Sequence, residues 1–533
     1  MMKPLLEESD QEVALDSTVG TSTIESSVEI IDKLTPIQKF YDDESVFLTG
    51  GTGFMGKLLI EKLLRGCPGI RCIYILIRSK KGKNVLERLD ELMEDSLFSK
   101  LRKEETKFRK RIVAIKGDCS LPNLGISKID RATLIREVSI VFNVAATVRF
   151  NEAMKAAIAI NVRSLRDLIK LSKEMPNLKS FVHVSTAYAN CLYNQIEEKI
   201  YDPPIDADKL IDLIDLMEEK LLNDITPHLL GRWPNSYVYT KSLAENVVKK
   251  HADTIPIGIF RPGIVISTYR EPVQGWVDNM YGPIGITANI LMGIMRIHHC
   301  DASMKVNLVP GDLTINGLIA SAWGIANNLR SNEGIPIYNY VSQDNPITYD
   351  RLKEMTLKYE RLIPSKEIFW YCSFKMTKYR LIYLIYVYFL HLLPAFIIDA
   401  IALCVGKQPR LLGMYKKIHQ MSDVFGYFCT NEWTYTNERW NELMKKLTPA
   451  DRDLFLCDMN DIVWDIYFAT YVVGIRKYIL KDPIETLPQA RIKWRRLYWA
   501  HQGFKLSIAC IFFVIIWGIL LSVPRLFLTL PSS

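Results

Sequence analysis

Thr49-Gly50-Gly51-Thr52-Gly53-Phe54-Met55-Gly56 follows the apolar run Val46-Phe47-Leu48 and leads into Lys57-Leu58-Leu59-Ile60-Glu61-Lys62-Leu63-Leu64, which reads as an amphipathic helix. A strand, a glycine-rich turn and a helix start form a cradle for a dinucleotide pyrophosphate. Glycines let the backbone approach the phosphates, and the free N–H groups with the helix dipole hold their charge. The spacing fits both Gly51-x-Gly53-x-x-Gly56 and Gly50-x-x-Gly53-x-x-Gly56. A plain tight turn carries the same pattern, so the decision rests on what surrounds it.

The second strand of such a unit is Cys72-Ile73-Tyr74-Ile75-Leu76-Ile77. At its end an NAD-binding protein places Asp or Glu on the ribose hydroxyl. Here that place holds Arg78, followed by Lys80, Lys81 and Lys83. A carboxylate repels a 2′-phosphate, whereas a guanidinium binds it with two parallel hydrogen bonds. NADPH is therefore the expected cofactor.

The alternation continues. Ile112–Ile115 runs into Gly117-Asp118, Val138–Val144 into Ala145-Ala146, Ser180–Val184 into Ser185-Thr186, and Ile255–Ile259 into Arg261-Pro262. Helical patterns at Asn151–Leu171 and Tyr237–Lys249 separate these runs. The expected fold class is α/β, a doubly wound parallel Rossmann sheet with ligands at the carboxyl ends of its strands. Gly53, Arg78, Asp118, Ala145 and the Ser185-Thr186 pair all stand at such ends.

Tyr237 and Lys241 lie four apart on one helical face, so both reach the same ligand. A tyrosine hydroxyl with a pKa of about 10 exchanges protons poorly at neutral pH. A neighbouring ammonium lowers that value, and the pair becomes a usable acid/base. The motif gains force by following a hydroxyl pair at a strand end.

Bulk properties set the frame. The 533 residues imply about three or four domain-sized units. A net charge of +8 without long basic runs argues against nucleic acid. The ten cysteines are scattered with no CxxC pair, which fits reduced thiols better than a disulfide frame or a zinc site. His298-His299-Cys300 is only a superficial metal pattern, because adjacent residues point in different directions. No metal is expected.

The two ends differ. Residues 1–40 are rich in Ser, Thr, Glu and Asp and read as a disordered leader. Leu506–Val523 is an uncharged apolar run of membrane-spanning length, preceded by Arg491, Lys493, Arg495, Arg496 and Lys505 with Trp494, Tyr498 and Trp499 interleaved. That pattern predicts a membrane anchor with a cytosolic catalytic body. A second apolar stretch, Leu381–Val405, is interrupted by His391, Pro394 and Asp399. An intramembrane aspartate is costly, so the stretch reads as a helical hairpin, an interfacial segment or a core helix pair.

Taken together, these motifs resemble the extended short-chain dehydrogenase/reductases, and more closely the eukaryotic, insect-like fatty acyl-CoA reductase family. The resemblance runs through Thr49–Gly56, Asn143-Val144-Ala145-Ala146-Thr147-Val148-Arg149-Phe150, His183–Tyr188, Tyr237-x-x-x-Lys241, Arg261–Val265, Gly275–Asn279, Tyr338–Ser342, Asn345–Thr348 and Thr430–Trp433 to Phe455–Tyr467. It covers roughly residues 40 to 500. Three positions depart from the family pattern: Gly263, Tyr281 and Gly311. The resemblance implies that substitutions there reshape the acyl pocket.

The resemblance implies reduction of a long-chain acyl-CoA to a primary alcohol with release of CoA, by two successive hydride transfers. It places Tyr237, Lys241, Thr186 and Ser185 at the chemistry, with Thr186 the favoured hydroxyl. It places Thr49, Gly50, Gly51, Thr52, Gly53, Phe54, Met55, Gly56, Arg78, Lys80, Asp118, Asn143, Ala145, Ala146, Tyr237 and Lys241 on NADPH, with Asp118 reading the adenine. Expected partners are the acyl-CoA and the bilayer. The expected compartment is the endoplasmic reticulum, with peroxisome and lipid droplet as alternatives.

Other readings are a reductase stopping at aldehyde, a membrane-bound sterol or sugar-nucleotide dehydrogenase on the same sheet, and a silent acyl-CoA binder. A covalent cysteine route through Cys191 lacks an activating histidine. The expected organisation is a leader to 40, a Rossmann domain over 41–270 and a substrate-binding part over 271–365. A mainly helical C-terminal module over 366–490 and an anchoring region over 491–533 follow.

Overall fold

The computed structural model describes residues 34–80, 82–327 and 334–528, with side chains as far as Leu520. The expected leader up to residue 33, Lys81 of the basic loop and residues 529–533 lie outside the described residues. The leader as expected runs too far. The Thr35 hydroxyl accepts from the Gln38 N–H (3.2 Å), and the Gln38 side chain accepts from the Thr35 N–H (3.1 Å). This capping box starts a helix, Pro36–Tyr41, that buries Ile37 and Tyr41. Six residues are too few to show a period.

Seven parallel strands form the central sheet: β1 (Ser45–Thr49), β2 (Cys72–Ile77), β3 (Ile112–Lys116), β4 (Ile140–Asn143), β5 (Ser180–Val184), β6 (Ile257–Pro262) and β7 (Ile337–Tyr340). Their order is β7-β6-β5-β4-β1-β2-β3. Growth of the sheet reverses between β1 and β4, and the crevice at that switch point is where a doubly wound sheet binds its ligand. Every residue of β1 and of β5 is buried, because helices cover both faces. β7 lies in the part assigned from sequence to substrate binding. It pairs in parallel with β6, Tyr340 opposite Pro262.

Two helices deliver the key residues: α1 (Phe54–Gly66), which follows the glycine turn, and α2 (Ser236–His251). The Asn235 side chain caps α2 by accepting from the Val238 N–H at 3.0 Å, which fixes where Tyr237 and Lys241 leave the first turns.

The C-terminal module shares the sheet's core. The Glu198 carboxylate accepts N–H bonds from Asn339, Arg439 and Trp440. Tyr340 donates to the Cys457 carbonyl at 2.9 Å, and Tyr467 to that of Ser267 at 3.1 Å.

The 381–405 stretch contains no internal hairpin. Arg380–Val387, a wide turn at Tyr388–Leu392 and Leu393–Cys404 run on as one helical segment. It packs on α3 (Leu411–Cys429). The aspartate has a local reason: the Asp399 carboxylate accepts from the N–H groups of Arg410, Leu411 and Leu412 at 3.0, 3.0 and 2.9 Å, where α3 begins. The basic flank and the apolar run form one helix, α4 (Leu487–Leu528). Trp494 and Tyr498, expected at the membrane interface, pack instead on Tyr371. The Trp494 indole also donates to Glu360 at 2.8 Å, so the base of α4 is docked on the body.

Candidate active site

The glycine turn is held by contacts that exclude a side chain. Gly50 has φ +78°, and a Cβ there would stand 2.7 Å from the Ala145 nitrogen. A Cβ on Gly56 would meet the Gly50 carbonyl oxygen at 2.2 Å. The turn is thereby pressed against both α1 and the end of β4. Beneath it Thr49 Oγ1 donates to Asn143 Oδ1 (2.7 Å) and accepts from the Ala145 N–H (3.2 Å). Asn143 Nδ2 in turn donates to His183 Nδ1 at 3.1 Å. Burial and the nearby Lys241 hold His183 neutral, well below the usual histidine range. These residues fit a dinucleotide: the cradle is one that any Cβ would fill.

Thr186, Tyr237 and Lys241 meet in the same crevice. The Thr186 hydroxyl neighbours that of Tyr237. Lys241, almost fully buried, donates to the Val184 carbonyl at 2.6 Å. Burial pushes the Tyr237 hydroxyl up to about 12, with the Thr186 hydroxyl pulling the other way. Burial brings Lys241 down to about 8, opposed by Glu245. In the free protein the largest influence on the tyrosine is therefore desolvation, in the direction opposite to the one expected from a neighbouring ammonium. Ser185 is placed differently. Its hydroxyl donates to Glu245 at 2.6 Å, and Glu245 pairs with the fully buried Arg261 at 2.7 Å. Ser185 is thus tied into the support under α2, while Thr186 faces Tyr237.

At the other end of the crevice Arg78 stands half-exposed, 3.6 Å from Asp118. Asp118 also accepts from the backbone and hydroxyl of Ser120. Lys80 lines the same crevice. Arg88, which the sequence did not single out, donates from its guanidinium to the Arg78 carbonyl and reaches Thr52 Oγ1 at 3.5 Å. Nothing in the periodicity of its helix distinguishes it from a solvent-facing arginine.

The crevice does not end at the chemistry. One continuous cleft of about 1650 Å³ runs from Gly50 past Thr186 and Tyr237 to Ile286, Ile290, Phe374 and Met421. Phe150 stacks on Tyr237 with ring centroids 5.7 Å apart, and its far side meets Phe425 and Phe428 of α3. Arg149, Lys353 and Lys417 also line it. So do His298 and Cys429, whose Nε2 and Sγ are 3.4 Å apart. His298 is bonded away from its chain neighbours, to Cys429 and to Ser422 at 2.8 Å. Among the described residues, no group of three or more His, Cys, Asp or Glu side chains could hold a metal. Of the three departures from the family pattern, Gly263 and Tyr281 line the cleft. A Cβ on Gly263 would stand 2.5 Å from the Asn307 carbonyl oxygen.

Comparison with known proteins agrees with this geometry. An NAD-binding family model described as "Male sterility protein" matches residues 48–318, and a second model of the same description, "Sterile", matches 390–482. Fatty acyl-CoA reductase wat of Drosophila melanogaster is 43% identical over 486 residues, covering 90% of this chain and 93% of that protein. Human fatty acyl-CoA reductase 1 is 36% identical over 490 residues, covering 92% and 94%. Among solved structures, the terminal reductase domain of the myxalamid pathway overlays with a TM-score of 0.55 at 18% identity, covering 83% of this chain and 93% of that one. The reductase domain of a Mycobacterium tuberculosis nonribosomal peptide synthetase gives 0.54 at 17%, covering 85% and 96%. Those two likenesses concern the fold alone. With a nicotinamide-cofactor crevice and relatives of this identity along nine-tenths of its length, the chain belongs to the fatty acyl-CoA reductase family.

Proposed function

We propose that this chain reduces long-chain acyl-CoA to the primary alcohol, in two rounds at one site, using NADPH. The observation that carries the reading is the single cleft. It joins the glycine turn, the Thr186 and Tyr237 hydroxyls and an end lined by Ile286, Ile290, Phe374 and Met421.

The cofactor supplies hydride when bound; the chain's residues do the rest. Gly50, Gly53 and Gly56 would admit the pyrophosphate, and Arg78 with Arg88 would hold the 2′-phosphate. Asp118 would meet the adenine, and Lys241 would leave the Val184 carbonyl for the ribose hydroxyls. Thr186 and Tyr237 would hold the thioester oxygen. Both hydroxyls would then meet the oxygen where negative charge develops, the place where a fixed donor lowers a barrier most. With its hydroxyl at about 12, Tyr237 enters the reaction as a protonated acid. That suits delivery of a proton to an alkoxide-like oxygen.

After loss of the CoA thiolate, an aldehyde held by the same pair would accept the second round. The apolar wall of Phe150, Phe425 and Phe428 would keep the tail in place between rounds, and Arg149, Lys353 and Lys417 suit the anionic CoA. Two helices, Arg380–Cys404 and Ile484–Leu520, are long and apolar enough to cross a membrane. We place the body on the cytosolic face of the endoplasmic reticulum, anchored through α4.

The test is turnover of palmitoyl-CoA by the full chain in membranes, with either cofactor. The expected result is hexadecanol, with kcat/KM at least tenfold higher for NADPH than for NADH. Equal values would remove the 2′-phosphate reading, and no turnover across C12 to C26 acyl-CoAs would remove the substrate class.

A further inference from the structure

The two apolar helices are built differently. From Phe512 to Leu520, α4 exposes its large side chains on every side. The Arg380–Cys404 segment has two faces. Tyr383, Val387, His391, Ala395 and Asp399 form a buried stripe along its whole length. Residues four apart drift around an α-helix by about 40° per step, so such a stripe would wind away from the body. The wide turn at Tyr388–Leu392 takes up the excess and keeps the stripe on one side. The stripe is fixed by polar contacts that a lipid-facing helix lacks. His391 accepts from the Arg296 N–H at 3.1 Å and meets His419 at 2.9 Å, and Asp399 caps α3. The opposite face shows Leu381, Phe389, Phe396 and Ile401 at 72, 58, 61 and 59% exposure.

We infer that this segment lies in the plane of the bilayer, embedded in one leaflet, and does not cross it. A crossing helix would drag the packed body, with its strands and charges, into hydrocarbon. A lipid occupant is favoured by three features. The exposed face carries no charged side chain between Arg380 and Lys407. Exposed cations stand at both ends, Lys378 and Arg380 before it and Lys407 and Arg410 after it. That is the pattern of an interfacial helix on an anionic surface.

Third, the segment is linked to the anchor through two residues of the body. His501 of α4 accepts from the Trp370 indole at 3.2 Å, Arg296 stacks over Trp370 at 5.8 Å, and the same Arg296 bonds His391 at the segment's middle. The anchor therefore leaves the body two residues away from the segment. The segment's own packing partner, α3, carries Met421 and Phe425 in the cleft wall, and Arg380 pairs with Asp423 of α3 at 2.8 Å. Embedding would set the cleft's apolar end against the leaflet.

Depth measurement on the full chain in phosphatidylcholine/phosphatidylserine vesicles tests this without using activity. Cysteines are placed singly at Phe389, Phe396 and Ile401, in a Cys404→Ser, Cys510→Ser background, and labelled with an environment-sensitive dye. Shallow and deep brominated lipids are then used as quenchers, and unchanged thermal melting reports intact folding. The expected result is at least twofold quenching by the shallow lipid at all three sites, with depths that agree. A crossing helix would instead separate the first and last labels by about 18 Å of depth, which overturns the proposal. Quenching by aqueous iodide alone, or by neither reagent because a second copy of the chain covers the face, overturns it equally.

Discussion

The two ends of the one cleft are made in opposite ways. At the nucleotide end the backbone sets the shape: Gly50 and Gly56 leave no room for a Cβ, and Thr49, Asn143 and His183 are bonded in a row beneath the turn. At the acyl end the shape comes from side chains, Ile286, Phe374, Met421 and Phe425, brought in from two helices and a loop. The first design fixes a ligand's position and tolerates almost no substitution. The second fixes only a volume, and methionine and leucine-sized walls can be recut without disturbing the chemistry.

The contrast is broken or sharpened by substitution. Gly56→Ala should have the largest effect, since a methyl 2.2 Å from the Gly50 oxygen must displace the turn. We expect NADPH binding, followed by fluorescence, to be lost while the melting temperature moves by a few degrees. Binding within threefold of the native chain would mean that the turn is not the cradle. Next, Arg78→Ala should raise KM for NADPH by about 10–100-fold, the worth of a charge-assisted contact of about 1.5–3 kcal/mol, and leave KM for NADH within threefold. An equal rise for both cofactors would assign Arg78 a structural role.

Met421→Trp should act only at the other end. Filling the cleft there is expected to lower kcat/KM for stearoyl-CoA about tenfold and for lauroyl-CoA by less than twofold, because pocket volume discriminates by about 1–3 kcal/mol. Uniform loss would show that the apolar end does not hold the tail.

The smallest effect is a shift along the pH axis. With Lys241 held at about 8 in the fold, below its unfolded value of about 10.4, the unfolded chain binds that proton more tightly between the two values. Stability from this group therefore rises with pH across that window. Activity that needs the ammonium moves the opposite way. The kcat/KM profile should fall above pH 8, and Lys241→Arg, if active, should lose that limb.

The same contrast explains what the sequence made legible. The nucleotide end depends on residue types that few others can replace, so spacing alone pointed to Gly50, Gly53, Gly56, Arg78, Tyr237 and Lys241, which the structure brings to one crevice. Strands β1 to β6 were legible because a parallel sheet covered on both faces demands continuous apolar runs. β7 was not, since Ile337-Tyr338-Asn339-Tyr340 is too short and too polar to separate from a loop. The acyl end was also illegible. Phe150, Met421 and Phe425 look like ordinary core positions, and only tertiary contact puts them beside Tyr237. Ser185 shows the limit within a motif: adjacent hydroxyls look equivalent, yet one supports Glu245 and the other faces the tyrosine. Burial, invisible in a spacing rule, is what sets the Tyr237 hydroxyl in the free protein.

The central claim is that one hydroxyl pair in one cleft performs both reductions. The direct measurement is the ratio of NADPH oxidised to palmitoyl-CoA consumed by the full chain in membranes, with products resolved as alcohol or aldehyde, beside Tyr237→Phe. The account predicts two NADPH per acyl-CoA and hexadecanol as the product. It predicts at least a hundredfold loss of turnover in the variant, with NADPH binding within threefold of native. One NADPH per acyl-CoA with aldehyde accumulating, or a Tyr237→Phe chain that still turns over within tenfold, would contradict it.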